Sequence, residues 1–225
     1  METPARGAIA AVVFDFDGLI LDTETSIWTS WRTTFEEHGC APPTIEEWGA
    51  EVGTVGGLDV VALLRSRVAG EIDVDILQAR RRAFRDELLA REAARPGVAT
   101  WIDEASALGL GLAIASSSEY GWVDPHLTRL GLRASFAHVA CHGATLRAKP
   151  HPDTYLDACT ALGVAPRDAL AVEDSPHGVA AARAAGLAVV AVPNPVTEQM
   201  DLSAADVVLR SLADCSLSDA MTRLV

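Results

Sequence analysis

Lysine is almost missing from this chain. Of 18 basic residues in 225, 17 are arginine and one, Lys149, is lysine. Acidic residues number 31, which leaves a formal charge of −13. So few cations cannot neutralise a run of phosphates, and the balance argues against a nucleic-acid-binding face and against attachment to an anionic membrane surface. Long apolar runs are missing too. The run from Ala8 to Phe14 is broken by Asp15 and Asp17, too soon for a membrane span or a signal-peptide core. There is no CxxC pair. Cys40, Cys141, Cys159 and Cys215 are scattered, which speaks against a zinc site, and a chain this long needs no disulfide framework. Free thiols in a reducing cytoplasm are the expectation. What is present is an ordinary globular balance, 49% hydrophobic and 22% charged, sufficient for one large core or a core with a smaller insert.

The apolar runs Ile9–Phe14, Leu110–Ala115, Ala169–Val172 and Leu187–Val192 are continuous rather than alternating. Central strands of a parallel sheet, covered on both faces, have this pattern. Helical patterns occupy Ala99–Leu108, Trp122–Leu130, Asp153–Leu162 and Gly178–Ala185, and they are followed by Gly109, Gly131, Gly163 and Gly186. A weaker strand, Asp206–Leu209, is expected at the far edge. The alternation predicts an α/β fold built on a doubly wound parallel sheet. One stretch departs from it. From about Thr23 to Glu92 only helical stripes occur: Trp28, Trp31 and Phe35; then Val60, Leu63, Leu64 and Val68; then Ile76, Leu77, Phe84 and Leu88. This predicts a small helical unit inserted after the first strand, residues 21–92, with residues 1–20 and 93–225 forming the core. Its tryptophans are expected to pack its interior. Arg80–Arg82 and Arg85 are expected on a solvated face beside Asp86 and Glu87. Pro96-Gly97 marks the return to the core.

The first strand ends in Asp15-Phe16-Asp17-Gly18, and a later one ends in Glu173-Asp174-Ser175. In an open parallel sheet, ligands bind beyond the carboxyl ends of the strands. Four carboxylates converging there repel one another unless a hard divalent cation sits among them, and Mg²⁺ prefers such oxygen donors. Helix capping accounts for Asp174 ahead of Pro176 but not for acid pairs on both strands. A further strand ends in Ser116-Ser117-Ser118, where a hydroxyl and a backbone N–H suit a phosphate oxygen. Lys149, in Ala148-Lys149-Pro150, offers a compact positive charge that offsets a phosphoryl group and a carboxylate.

In this order the segments resemble the four motifs of the haloacid dehalogenase-like hydrolase superfamily. The stretch from Asp15-Phe16-Asp17-Gly18 to Asp22-Thr23-Glu24 is similar to the first, Ser116 to the second, Lys149-Pro150 to the third and Glu173-Asp174-Ser175 to the fourth. The resemblance spans nearly the whole chain. It includes the helical insertion and the Pro96-Gly97-Val98 re-entry of the subgroup that holds beta-phosphoglucomutase and many sugar-phosphate phosphatases, and so implies a Rossmann-like core with a helical cap.

The resemblance also implies roles. Asp15 is the nucleophile, forming an aspartyl-phosphate. Asp17 is the general acid, then the base that activates water. Ser116 and Lys149 hold the phosphoryl group. Asp15, the main-chain carbonyl of Asp17 and Asp174 ligate Mg²⁺, with Glu173 assisting directly or through water. The implied activity is a Mg²⁺-dependent phosphatase for a small phosphorylated metabolite, a sugar phosphate, in a monomer or weak homodimer.

Some features narrow this. Asp17 sets the chain apart from a true haloacid dehalogenase, which does not need the second acid. The mutase carries a histidine ten residues after its acid/base aspartate, where this chain has Ile27. It also has a cap lysine and arginine that Glu51–Gly57 lacks. A phosphosugar mutase is therefore the alternative within enzymes. A phospho-accepting signalling module is the alternative from another class, against which the length and the insertion count. Asp22 is expected to cap the first helix of the insertion.

Overall fold

The computed structural model describes residues 8–49 and 58–224. The stretch Glu51–Gly57 lies outside the described residues. Among the described residues, β1 (Ala11–Phe14) is followed by four helices, α1 (Thr23–Glu37), α2 (Ile45–Gly49), α3 (Val60–Arg67) and α4 (Val74–Arg91). It then alternates: α5 (Val98–Ala107), β2 (Gly111–Ser116), α6 (Tyr120–Arg129), β3 (His138–Cys141), α7 (Asp153–Leu162), β4 (Ala169–Glu173), α8 (Pro176–Ala185) and β5 (Ala188–Ala191). A short β6 (Val207–Val208) and α9 (Leu217–Thr222) complete it. Among the described residues no helix is long and apolar enough to cross a membrane. The four cysteines are free thiols.

The strands form one six-stranded sheet in the order β3-β2-β1-β4-β5-β6, with every pairing parallel. The order runs outward in both directions from the β1–β4 pair. The crevice beyond the carboxyl ends of those two strands is thus the topological switch point, where α/β sheets bind ligands. Asp15 immediately follows β1, and Glu173 ends β4.

Alternation along β1 divides the core. Val12 and Phe14 face a layer of large side chains that includes Trp101, Val123, Leu127 and Phe136. Ala11 and Val13 face a layer rich in alanine, with Ala113, Ala115, Ala171, Ala181 and Ala182 beside Tyr155. Small residues let α7 and α8 lie close to the sheet, while each large side chain on the other face contributes about 1.5–3 kcal/mol by burial.

The expected strands and core helices are all present, with ends shifted by a residue or two. β3 is the strand that the apolar-run criterion passes over. Its four residues, His138-Val139-Ala140-Cys141, have only the middle two buried.

The four helices between β1 and α5 have their own apolar cluster of Trp31, Phe35, Val60, Leu64 and Leu77. Two expectations are corrected here. Ile76 is 60% exposed, and the buried face of α4 runs instead through Leu77, Arg81 and Leu89. Arg81 is therefore not on the solvated face. Its guanidinium lies 4.5 Å over the Trp31 ring and donates to Ser30 Oγ at 3.2 Å and Gln78 Oε1 at 3.0 Å. Those partners offset its desolvation. Arg85 does pair with Asp86, at 2.7 Å. Asp22 Oδ1 accepts from the Thr25 N–H at 3.0 Å and caps α1 as expected.

Candidate active site

The sheet carries its polar residues to one end. Asp15 is held in line with the strands, its N–H donating to the Val172 carbonyl at 2.9 Å. The chain then turns tightly. The Gly18 N–H donates to the Leu21 carbonyl at 2.8 Å, and the Ile20 N–H to the Phe16 carbonyl at 2.9 Å. Gly18 has φ +77°, in the left-handed region, and a Cβ there would stand 2.1 Å from Asp174 Oδ2. The turn therefore requires glycine both for its backbone and for the approach of Asp174.

Lys149 is 1% exposed and reaches this crevice from the loop ahead of α7. Its Nζ donates to Asp15 Oδ1 and, at 2.6 Å, to Glu173 Oε1. Tyr155 on α7 donates to the same Glu173 oxygen at 2.6 Å. Glu173 Oε2 accepts from the Asp174 N–H at 3.0 Å and from the Ser175 N–H at 3.4 Å. Asn194, just beyond β5, donates from Nδ2 to Asp174 Oδ2 at 2.6 Å. The N-terminus of α8 is capped by Ser175, not Asp174, which leaves the Asp174 carboxylate to the crevice.

Asp15, Glu173 and Asp174 are buried, and each brings a carboxylate oxygen within 4.8 Å of the others. Burial pushes the Asp15 carboxyl well above its ordinary range; Lys149 opposes this, while Glu173 adds to the rise. Asp174 is raised by burial first and then by Asp15 and Glu173. For Lys149, burial alone would lower the pKa, but Asp15 and Glu173 outweigh it and hold the ammonium above its usual value. Three carboxyl groups crowded beside one ammonium disfavour full ionisation, and a bound cation would relieve that. An all-oxygen donor set of this kind fits a hard divalent cation such as Mg²⁺.

Asp17 stands outside this cluster. Its Oδ2 accepts from Ser118 Oγ at 2.7 Å and from Ser116 Oγ at 3.4 Å, and its Oδ1 accepts from Trp122 Nε1 at 2.8 Å. Ser116 is fully buried, and its Oγ accepts the Ser118 N–H at 2.9 Å. Ser117 Oγ accepts the Lys149 N–H at 3.1 Å, tying the end of β2 to the lysine loop. All six residues singled out from the sequence, Asp15, Asp17, Ser116, Lys149, Glu173 and Asp174, therefore lie on one contiguous network.

Trp122, Tyr155, Asn194 and Arg95 also belong to this end of the sheet and were not singled out. Arg95 lies where the chain returns from α4. It donates to the Gly18 carbonyl, and to the Pro193 carbonyl at 2.7 Å, pinning the Asp17–Gly18 turn to the end of β5. Asn194 follows a strand end, so the rule that drew attention to Asp15 and Glu173 finds it as well. Trp122 and Tyr155 carry no local signal, because aromatic residues on helices read as packing.

The strand-end carboxylates and the lysine thus share one buried crevice at the switch point of the sheet. A family model described as haloacid dehalogenase-like hydrolase matches residues 12–192, and the chain belongs to that family. The phosphatase-named YhcW of Bacillus subtilis (strain 168) is 39% identical over 210 residues, 93% of this chain and 95% of its own. Hexitol phosphatase A of Escherichia coli (strain K12) is 29% identical over 208 residues, 92% of this chain and 93% of its own. The crystal structure of CbbY from Rhodobacter sphaeroides in complex with phosphate matches with a TM-score of 0.74 at 30% identity, covering 93% of this chain and 98% of that one. Family membership places the chain among hydrolases rather than phospho-accepting signalling modules.

Proposed function

We propose that the chain is a Mg²⁺-dependent phosphatase that hydrolyses a small phosphorylated metabolite, a sugar phosphate, through an aspartyl-phosphate on Asp15. The observation that carries this is the Lys149 ammonium set between Asp15 and Glu173 at the switch point of the sheet, with Asp174 alongside. Asp15 attacks phosphorus, and the bond from phosphorus to the leaving oxygen breaks. Asp17 gives its proton to that oxygen. Asp17 then takes a proton from water, whose oxygen bonds to phosphorus as the Asp15–phosphorus bond breaks, releasing inorganic phosphate.

Ser116 and Lys149 hold the phosphoryl oxygens, since phosphoryl transfer depends mainly on positioning and charge neutralisation. Asp15, Asp174 and the Asp17 carbonyl would hold Mg²⁺, which supplies charge neutralisation for the phosphoryl group when bound. Glu173 is better suited to orienting Lys149 than to binding metal directly, because both its oxygens already accept hydrogen bonds. Residues 21–92 act as a cap that closes over the crevice and excludes water. The name of the hexitol phosphatase relative supports a sugar phosphate as substrate. Ile27, apolar and packed on the cap cluster, favours water over a second sugar phosphate as acceptor.

The test is phosphate release from a panel of sugar phosphates, phosphoglycolate and nucleotides, with Mg²⁺ and with EDTA. Release from at least one sugar phosphate, suppressed by EDTA, is expected. Asp15→Asn is nearly isosteric, and we expect it to fold yet lose about 10³-fold or more in rate. No turnover across the panel, or full activity in Asp15→Asn, overturns the proposal.

A further inference from the structure

Trp122 touches two parts of the molecule that the proposed reaction must bring into step. It sits in the first turn of α6, and its indole N–H donates to Asp17 Oδ1 at 2.8 Å. Ser118 donates to the other oxygen at 2.7 Å, so both carboxylate oxygens of Asp17 have a donor and its rotation is restrained. On the ring face of Trp122 lies the guanidinium of Arg85, 4.7 Å from the centroid. Arg85 belongs to α4, the last helix of the insertion, and is steadied by Asp86 at 2.7 Å. His126 packs edge-on against the same indole at 4.6 Å and stacks towards Phe16, the residue between Asp15 and Asp17. One side chain thus meets the cap on its face and the core aspartate on its edge.

We propose that Trp122 is a positioning residue. Its N–H sets the Asp17 carboxylate, and its ring, gripped by Arg85, ties that setting to the seat of the cap. The chemistry of the indole suits the task. It has a single donor and no acceptor, so it orients a carboxylate without competing for the proton that Asp17 must deliver. A general acid acts only within hydrogen-bond reach of the oxygen it protonates, so a small misplacement of Asp17 affects reactions that need the proton and spares those that do not. The inference rests on the reading of Asp17 as the group that protonates the leaving oxygen.

Two esters separate the possibilities. Phenyl phosphate has a poor leaving group that needs the proton, and p-nitrophenyl phosphate a good one that does not. Their kcat/KM values report steps up to departure of the leaving group. Trp122→Phe keeps a ring beneath Arg85 and removes the N–H. We expect its kcat/KM to fall about tenfold or more on phenyl phosphate and about threefold at most on p-nitrophenyl phosphate. Asp17→Asn moves the ratio further in the same direction, and adding Trp122→Phe to it changes the ratio no more. Arg85→Met shifts the ratio the same way by about threefold, and Arg85→Lys, which keeps a cation over the indole, restores it.

Equal losses on both esters, an unchanged ratio, or a Trp122→Phe effect undiminished in the Asp17→Asn background overturns the inference. A wild-type chain that turns over neither ester overturns the phosphatase reading instead. Should Trp122→Phe prove unfolded by circular dichroism, the Arg85→Met and Arg85→Lys pair carries the same comparison.

Discussion

Tyr155 donates its phenol to Glu173 Oε1 at 2.6 Å, the same oxygen that Lys149 reaches. The buried carboxylate therefore takes its orientation from a core aromatic on α7, and passes that orientation to the ammonium. Tyr155→Phe removes the O–H and leaves the ring in place beneath Lys149, whose Nζ lies 5.1 Å from its centroid. The expected cost is about 1–2 kcal/mol. A thermal melt should show it as a fall of about 2–4 °C per kcal/mol for a domain of this size. The rate of phosphate release should drop several-fold with little change in KM, since Lys149 loses its fixed neighbour but keeps its charge.

Lys149→Met is the charge change expected to cost most activity. It leaves Asp15, Glu173 and Asp174 buried together without the ammonium that ion-pairs with Asp15 and Glu173. Loss of one preorganised donor to a developing phosphoryl charge lowers the rate by about 10²–10³. Steady-state phosphate release at saturating Mg²⁺ measures this, and a loss of less than about tenfold contradicts the role given to the ammonium.

Gly178 on α8 faces the Glu173 carboxyl so closely that an added Cβ would lie 2.0 Å from it. Gly178→Ala must therefore displace Glu173, break its contacts with Lys149 and Tyr155, or shift the helix. We expect a loss of about 2 kcal/mol or more in denaturant unfolding, together with reduced activity. Gly121→Ala is the control. That glycine is also helical and has nothing within 4 Å of the added Cβ, so the change should be neutral or stabilise by up to ~1 kcal/mol.

Glu24 gives the pH dependence. Burial, followed by Asp17 and Asp22, raises its pKa from the ordinary 4.5 to about 8, against an opposing hydrogen bond from Trp48. The folded chain thus keeps a proton that the unfolded chain gives up. Stability then falls as pH rises between about 4.5 and about 8, and the fall ends above that range. Glu24→Gln removes this dependence. Its melting temperature relative to the wild type should rise from pH ~5 to pH ~8 and then level off, in thermal melts at a fixed Mg²⁺ concentration. A constant difference across that range contradicts the assignment.

The sheet was legible because fully buried strands such as Ala169–Glu173 are unbroken apolar runs that end abruptly in acid. Asp15, Glu173 and Asp174 could be placed on the same principle, and Lys149 was conspicuous as the one lysine in the chain. The contacts that organise them were not legible. The bond from Trp122 to Asp17 spans 105 residues, and that from Asn194 to Asp174 joins two different strand ends. Neither leaves a periodic trace. The face of α4 was misread for a related reason. Periodicity favours aliphatic residues such as Ile76, whereas Arg81 takes a buried position through the ring of Trp31, on another helix.

The single ε-amine of the chain also makes the protein its own reporter. Lys149 is enclosed by Asp15, Glu173 and Tyr155, so an amine-acylating reagent applied to the folded protein has no exposed lysine to modify. Acylation at Lys149 then proceeds only through molecules whose crevice has opened. The fraction modified at Lys149, located by peptide mass spectrometry over time, measures the opening of the crevice, without a dye, a tag or an engineered residue.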